Sequence, residues 1–162
     1  MASDLSWTAV ETPLGSLAVA VSPAGVVATD VGGPHDRFLE NLGGARLDDA
    51  GLGSVRRDVE AYFAGRSRRF AAPVDLSFAA AFSKRVYEAT MAVRYGELRT
   101  YGDVAAAAGS HRAYRAAGTA LRQCPIELWI PCHRIVPAGP GFGTYGGHPE
   151  RREFLLRLEG AI

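Results

Sequence analysis

Cys132 is preceded by Pro131 and followed directly by His133 and Arg134. A cysteine is a nucleophile only as its thiolate, and a free thiol titrates near 8.5, so attack at neutral pH needs a base beside it. A histidine held close can take that proton. Neighbours in sequence need not touch, and on the dipeptide alone a small buried cysteine next to a surface histidine is the plainer reading. The second cysteine, Cys124, raises two other chemistries. A Cys124–Cys132 disulfide would consume the nucleophile, and a reducing compartment disfavours it. A metal set of Cys124, Cys132 and His133 with His35, His111 or His148 lacks a common zinc spacing, so no metal is expected. The N-terminal half has no cysteine, which excludes a cysteine-based zinc site there.

The elements that must position Cys132 are legible in outline. Trp7 to Val10, Ser16 to Val21 and Val26 to Val31 are β-prone runs joined by Pro- and Gly-containing turns, Thr12-Pro13-Leu14-Gly15 and Ser22-Pro23-Ala24-Gly25. They read as an antiparallel meander. A Gly-, Asp- and Pro-rich stretch follows, with a short helix at 36–42. Val55, Val59, Tyr62 and Phe63 then mark one face of a helix over 55–64, stopped by Gly65. A linker or edge strand covers 66–75. Phe82, Val86, Ala89 and Val93 recur at helical spacing, predicting an amphipathic helix over 79–93.

Thr100 and Asp103 fit an N-terminal capping pattern for a short helix over 101–108, closed by Gly109. A second helix spans about 111–123 and ends at Pro125, so the pair is a helix-turn-helix candidate. Ile126 to Ile130 reads as a short apolar strand, then comes the cysteine segment, the glycine-rich stretch 139–147, and a final helix over 151–159 with Phe154, Leu155 and Leu158 inward. Two parts are expected: an N-terminal α/β part, 1–75, and a mainly helical part, 76–162.

The chain has 162 residues, 48% hydrophobic and 22% charged, which suffices for a packed core and argues against long disorder. No apolar run approaches the roughly 20 residues that span a bilayer. The first fifteen residues lack the basic and apolar regions of a secretory signal. A soluble cytoplasmic protein with no membrane partner is the expectation. Net charge is +1, but unevenly placed: 1–82 carries seven arginines against ten carboxylates, and 83–162 carries eleven basic residues against seven carboxylates. The basic C-terminal part suits a polyanion as well as chance.

The Arg115-Ala116-Ala117-Gly118 block, then Pro125, then Ile130-Pro131-Cys132-His133-Arg134-Ile135-Val136, resembles the signature of the O6-alkylguanine-DNA alkyltransferases. The likeness extends in order through Thr12-Pro13-Leu14-Gly15, Tyr62-Phe63-Ala64-Gly65, Phe82 with Val86-Tyr87, Tyr95-Gly96-Glu97, Thr100-Tyr101-Gly102, the Gly143-Thr144-Tyr145-Gly146-Gly147 run and Leu155-Leu156-Arg157-Leu158-Glu159. The resemblance implies a ribonuclease H-like N-terminal part and irreversible transfer of an alkyl group from O6 of guanine in duplex DNA to Cys132, with no cofactor and a monomeric protein. It implies His133 as the base acting through water and Glu159 as its orienting carboxylate. Tyr101, Tyr145, Gly143 and Gly147 then line the substrate pocket. Arg115, Tyr114, Ala116, Gly118, Arg122 and Arg134 face DNA, with Arg115 filling the gap left by a flipped base.

Four positions depart from the family, one of them Thr119, which replaces a typical small residue. Cys124 stands where the family has an asparagine, and a thiol cannot replace an amide as a hydrogen-bonding hinge. Tyr114 brings a ring to a position usually small, beside a minor groove about 6 Å wide. Glu127 puts a carboxylate where the pocket is usually small or apolar. These departures leave open a homologue using Cys132 on a small molecule, and a lesion-binding module without transfer.

Overall fold

The computed structural model describes residues 4–143 and 147–162, and the chain divides into two compact units, Met1–Leu76 and Ser77–Ile162.

In the first unit, β1 (Ser6–Thr12), β2 (Gly15–Ser22) and β3 (Gly25–Val31) form the antiparallel meander. The first turn is held by its threonine: the Thr12 hydroxyl donates to the Gly15 carbonyl at 2.7 Å and accepts from the Leu14 N–H at 3.0 Å. At the second turn Gly25 has φ 146°, and a Cβ there would run into the Pro73 carbonyl. That close approach lets the 73–75 segment bridge onto Val26, with Val26 N–H to Pro73 O and Asp75 N–H to Val26 O both 2.9 Å.

The sheet order is β3-β2-β1-β4, and β4 (Arg46–Leu47) pairs parallel to β1, so the sheet is mixed rather than purely antiparallel. The sequence hid β4 because two exposed residues in a glycine- and aspartate-rich stretch carry no alternation. A short helix, α1 (Asp36–Asn41), precedes it. The helix α2 (Gly53–Phe63) packs on β1 through a face bearing Val55, Val59 and Tyr62, all buried. Arg56 reaches across to Thr8, donating to its hydroxyl at 2.8 Å, and that hydroxyl donates to Asp49 at 2.7 Å, so the fully buried Thr8 is satisfied.

In the second unit, α3 (Ala81–Met91) buries Val86, Tyr87 and Thr90. The two-residue strand β5 (Arg99–Thr100) leads into α4 (Tyr101–Ala107), whose capping box is complete. Asp103 N–H donates to the Thr100 hydroxyl at 3.1 Å and Thr100 N–H donates back to Asp103 at 2.9 Å. Such a cap contributes about 1 kcal/mol. A turn with Gly109 at φ 107° follows. The next helix starts as a 3-10 turn, His111–Ala113, before α5 (Tyr114–Arg122), so the regular helix begins later than its sequence pattern suggests. Gly118 is buried where α5 meets α4, and a Cβ on it would lie 3.7 Å from the Tyr101 ring. Tyr87 fastens α3 to α5 by donating to the Ala120 carbonyl at 2.7 Å, and Arg85 Nε donates to Ala108 O at the end of α4 at 2.9 Å.

The expected strand over 126–130 is absent. The segment turns instead, with Leu128 at φ 72° and a single bridge between Glu127 and Ile130. Prolines at 125 and 131 flank it, and each lacks an N–H for a sheet ladder. The chain then makes a 3-10 turn, Cys132–Arg134, and the strand β6 (Ile135–Val136), which pairs parallel with β5. The last helix, α6 (Pro149–Leu158), buries Arg152, Leu155 and Leu156, whereas Phe154 and Leu158 stay partly accessible. Among the described residues no helix is long and apolar enough to cross a membrane.

Candidate functional site

The β5–β6 pairing places the Cys132 turn beside the cap of α4, with Arg99 opposite Ile135 and Thr100 opposite Val136. Cys132 is 7% exposed, and its N–H donates to the Ile130 carbonyl at 2.7 Å. His133 is fully buried. Its Nε2 lies 2.8 Å from Glu159 Oε2. A carboxylate only accepts, so Nε2 carries the hydrogen and Nδ1 presents its lone pair. Among the described residues Nδ1 has no hydrogen-bond partner. The structure therefore brings together His133 and Glu159, the pair that the family resemblance implies.

Arg134 lies elsewhere than expected. The resemblance sets it facing DNA, but its guanidinium turns inward and is 7% exposed. It grips Glu159 in two places, Nε to Oε1 at 2.8 Å and Nη2 to Oε2 at 2.9 Å, and its Nη1 donates to Val93 O at 2.8 Å. Gly96 N–H adds a longer bond to Glu159 Oε1, at 3.3 Å. Burying a carboxylate is tolerable only with partners of this kind, and the planar fork of arginine fits it on two oxygens.

Burial pushes the His133 imidazole below its ordinary value of 6.5; the hydrogen bond and charge of Glu159 oppose this, and Arg134 and Arg152 add to it. The folded protein thus resists protonating His133 while the unfolded chain does not. This contribution to stability is fully present above about 6.5 and is lost as pH falls below that value. Between pH 7 and pH 5 the denaturant midpoint of the wild type is expected to fall more steeply than that of His133→Gln; parallel slopes would show that His133 is protonated equally in both states.

Arg152 was missed from sequence. It is 2% exposed, donates to the Phe142 carbonyl, and lies 3.5 Å from the Tyr101 hydroxyl. A Cβ at Gly143, where φ is 74°, would sit 3.0 Å from Arg152 Nη1 and 3.2 Å from Pro137 Cδ, so only glycine suits that position. The available signal was its place two helical turns before Glu159, on the same side of α6. Gly147 has φ 87°, with nothing among the described residues within 4 Å of a Cβ built there, and Tyr145 lies outside the described residues.

Neither Cys124 nor Cys132 is in a disulfide. Cys124 donates from sulfur to the Ile126 carbonyl at 3.4 Å, a local bond across the turn that an asparagine would make differently. Burial, then the neighbouring Cys132, drives the Cys124 thiol far above its usual range. Tyr87 is pushed up to about 12 by burial and by both cysteines, so it stays a neutral hydrogen-bond donor.

The outer face of α5 carries Arg115, Ala116 and Arg122, all exposed, with Tyr114 47% exposed and its ring 5.8 Å from the Arg115 guanidinium. Arg122 donates to Thr119 at 3.1 Å. Gly118, which the resemblance sets facing DNA, is buried and faces Tyr101 of α4 instead.

A sheet-bearing unit followed by a helical unit with a buried Cys-His-Glu cluster defines a two-domain class, ribonuclease-like then DNA-binding. Residues 5–76 match the ribonuclease-like domain of 6-O-methylguanine DNA methyltransferase, and residues 81–161 match its DNA binding domain. The chain belongs to that family. It is 33% identical over 150 residues to a methylated-DNA–protein-cysteine methyltransferase of Mycobacterium leprae, covering 93% of this chain and 89% of that protein. The Mycobacterium tuberculosis O6-methylguanine methyltransferase has the same fold, with TM-score 0.83 and 29% identity over 97% of this chain and 93% of that one. A second structure, of Mycobacterium tuberculosis OGT in complex with DNA, aligns with TM-score 0.83 and 30% identity over 96% and 93%.

Proposed function

We propose that this protein repairs O6-alkylguanine in duplex DNA by moving the alkyl group irreversibly onto its own Cys132. The observation that carries the reading is the buried imidazole beside Cys132, fixed through Nε2 on Glu159, with an Nδ1 that has no hydrogen-bond partner among the described residues. That nitrogen takes the thiol proton through a water. The Cys132 sulfur then attacks the alkyl carbon, the S–C bond forms and the C–O6 bond breaks. Guanine leaves and regains a proton at its ring nitrogen. The thioether is stable, so each molecule acts once.

The reacting atom is inside the duplex, so the base must be extruded. In this reading α4 and α5 are a helix-turn-helix, and α5 lies against the minor groove with Tyr114, Arg115, Ala116 and Arg122 outward. Arg115 fills the vacated stack. Tyr101, held near Arg152, presses on the target phosphate, and Tyr145 with the backbone of Gly143 and Gly147 borders the flipped base. The protein acts as a monomer in the cytoplasm. Relatives bearing the methyltransferase name support the chemistry, and the DNA-bound neighbour supports the substrate.

The test is intact mass after mixing with a duplex containing O6-methylguanine. One methyl group in place of one hydrogen, mapped to the Cys132 peptide, supports the reading. Binding without mass change favours a lesion-binding module, and neither favours a small-molecule substrate. Arg115→Ala should slow transfer from the duplex at least about tenfold, equal to about 1.4 kcal/mol. Its reaction with free O6-benzylguanine should stay within about twofold, because a free base needs no extrusion. Equal losses on both would make Arg115 structural.

A further inference from the structure

The first unit contains a second cluster of reactive side chains, on the sheet rather than in the helical unit. Asp30 on β3 pairs with Ala18 on β2. Ser16 lies two residues before Ala18, so the side chains of Ser16 and Asp30 leave one face of the sheet on a diagonal between neighbouring strands. The Gly32-Gly33 turn folds back over the start of β2, its Gly32 N–H donating to the Ser16 carbonyl at 2.8 Å, and both glycines have positive φ. The turn delivers the His35 ring into the diagonal gap. His35 Nε2 is 2.8 Å from Ser16 Oγ, and His35 Nδ1 is 2.7 Å from Asp30 Oδ2.

The order of atoms matters more than the closeness. A carboxylate on Nδ1 fixes the hydrogen there and leaves Nε2 as the basic nitrogen, and that nitrogen is the one facing the hydroxyl. This is the division of roles in hydrolases that use a serine nucleophile. We propose that Ser16, His35 and Asp30 form a nucleophilic site that attacks small neutral esters with a good aryl leaving group. Ser16 and Asp30 are half-buried, so the cluster is open at its edge. The Trp7 ring stands edge-on to His35 at 6.4 Å and supplies an aromatic wall. Glu11 is the cross-strand partner of Ser16 and is exposed, which disfavours anionic substrates. The Gly32 N–H is already engaged with the Ser16 carbonyl, so activated esters rather than amides are the substrates.

In the reaction Ser16 Oγ bonds to the carbonyl carbon while His35 Nε2 takes its proton. The C–O bond to the aryl group breaks and the phenol leaves with that proton. Water then attacks the acyl-serine by the same route, releasing the acid and restoring Ser16. Ester and water become acid and phenol.

The test treats the full chain with a fluorophosphonate, which forms the Ser16 O–P bond as fluoride leaves, and maps the adduct by peptide mass. The expected result is an adduct on the Ser16 peptide that is absent in Ser16→Ala. It should form at least about 100-fold more slowly in His35→Gln and at least about tenfold more slowly in Asp30→Asn. With p-nitrophenyl acetate the Cys132→Ser chain should still release p-nitrophenolate, and the added Ser16→Ala change should remove that release. No adduct at Ser16, or an adduct forming at wild-type rate in His35→Gln, overturns the proposal. If His35→Gln fails to unfold cooperatively, the labelling rate of Asp30→Asn decides. Labelling at least about tenfold slower in Asp30→Asn supports the site, and labelling at wild-type rate in that variant overturns it.

Discussion

Exchanging Cys132 for serine should abolish methyl uptake from lesion DNA, by a factor of at least about 10³, while duplex affinity stays within about twofold. A hydroxyl is far less acidic than a thiol, and a neutral imidazole like that of His133 can deprotonate the one but hardly the other. The substitution is nearly isosteric at a site 7% exposed, so a stability loss of only about 1 kcal/mol is expected. Intact mass, fluorescence anisotropy with a labelled duplex and thermal unfolding separate the three effects. Methyl uptake surviving the substitution would move the nucleophile, with Cys124 the obvious place to map it. That outcome conflicts with burial holding Cys124 as a neutral thiol.

The second large effect belongs to Glu159. In Glu159→Gln the Arg134 guanidinium keeps its buried position and its bond to Val93 O but loses the charge that neutralised it. Removing one partner of a buried ion pair costs about 3–5 kcal/mol. For a chain of this size that lowers the melting temperature by roughly 10 °C. The amide can accept one of the donors now shared by two oxygens, and its own NH2 opposes the others. Transfer should therefore slow as well, because His133 Nε2 loses the acceptor that fixes its tautomer. The double variant Glu159→Gln with Arg134→Met removes the stranded cation and should recover part of the stability but none of the rate. A Glu159→Gln protein as stable as the wild type would mean that Arg134 is neutralised elsewhere.

The sequence carried the local signals and missed the ones made by tertiary contact. Thr100 and Asp103 could be paired from spacing alone because a capping box is closed within four residues. The meander was legible because each turn has its own Pro and Gly chemistry. Cys132, His133 and Glu159 came from family resemblance, and no local pattern links residues 26 apart. Arg134 was misplaced for that same reason: an arginine after Cys-His looks solvent-facing until the carboxylate that turns it inward is in view. The apolar content of 126–130 reads as a strand, but a strand needs a partner, and its flanking prolines and left-handed Leu128 prevent one. Ser16, His35 and Asp30 meet only because strand register and a folded-back turn bring them together.

Glu159 also sets an order of events during synthesis. The ribosome makes Cys132 and His133 first, and the carboxylate that orients the imidazole follows 26 residues later. The bonds that seat the end of α6, Tyr95 to Leu158 O and Gly96 N–H to Glu159, each close a loop of 63 residues. Long loops close late, since their entropy must be overcome before the contact is gained. A nascent chain therefore holds its thiol beside a histidine that is still solvated and free to rotate. Chemical competence arrives with the docking of the last helix, in the same event that neutralises Arg134, so a half-made molecule has neither a finished core nor an oriented base.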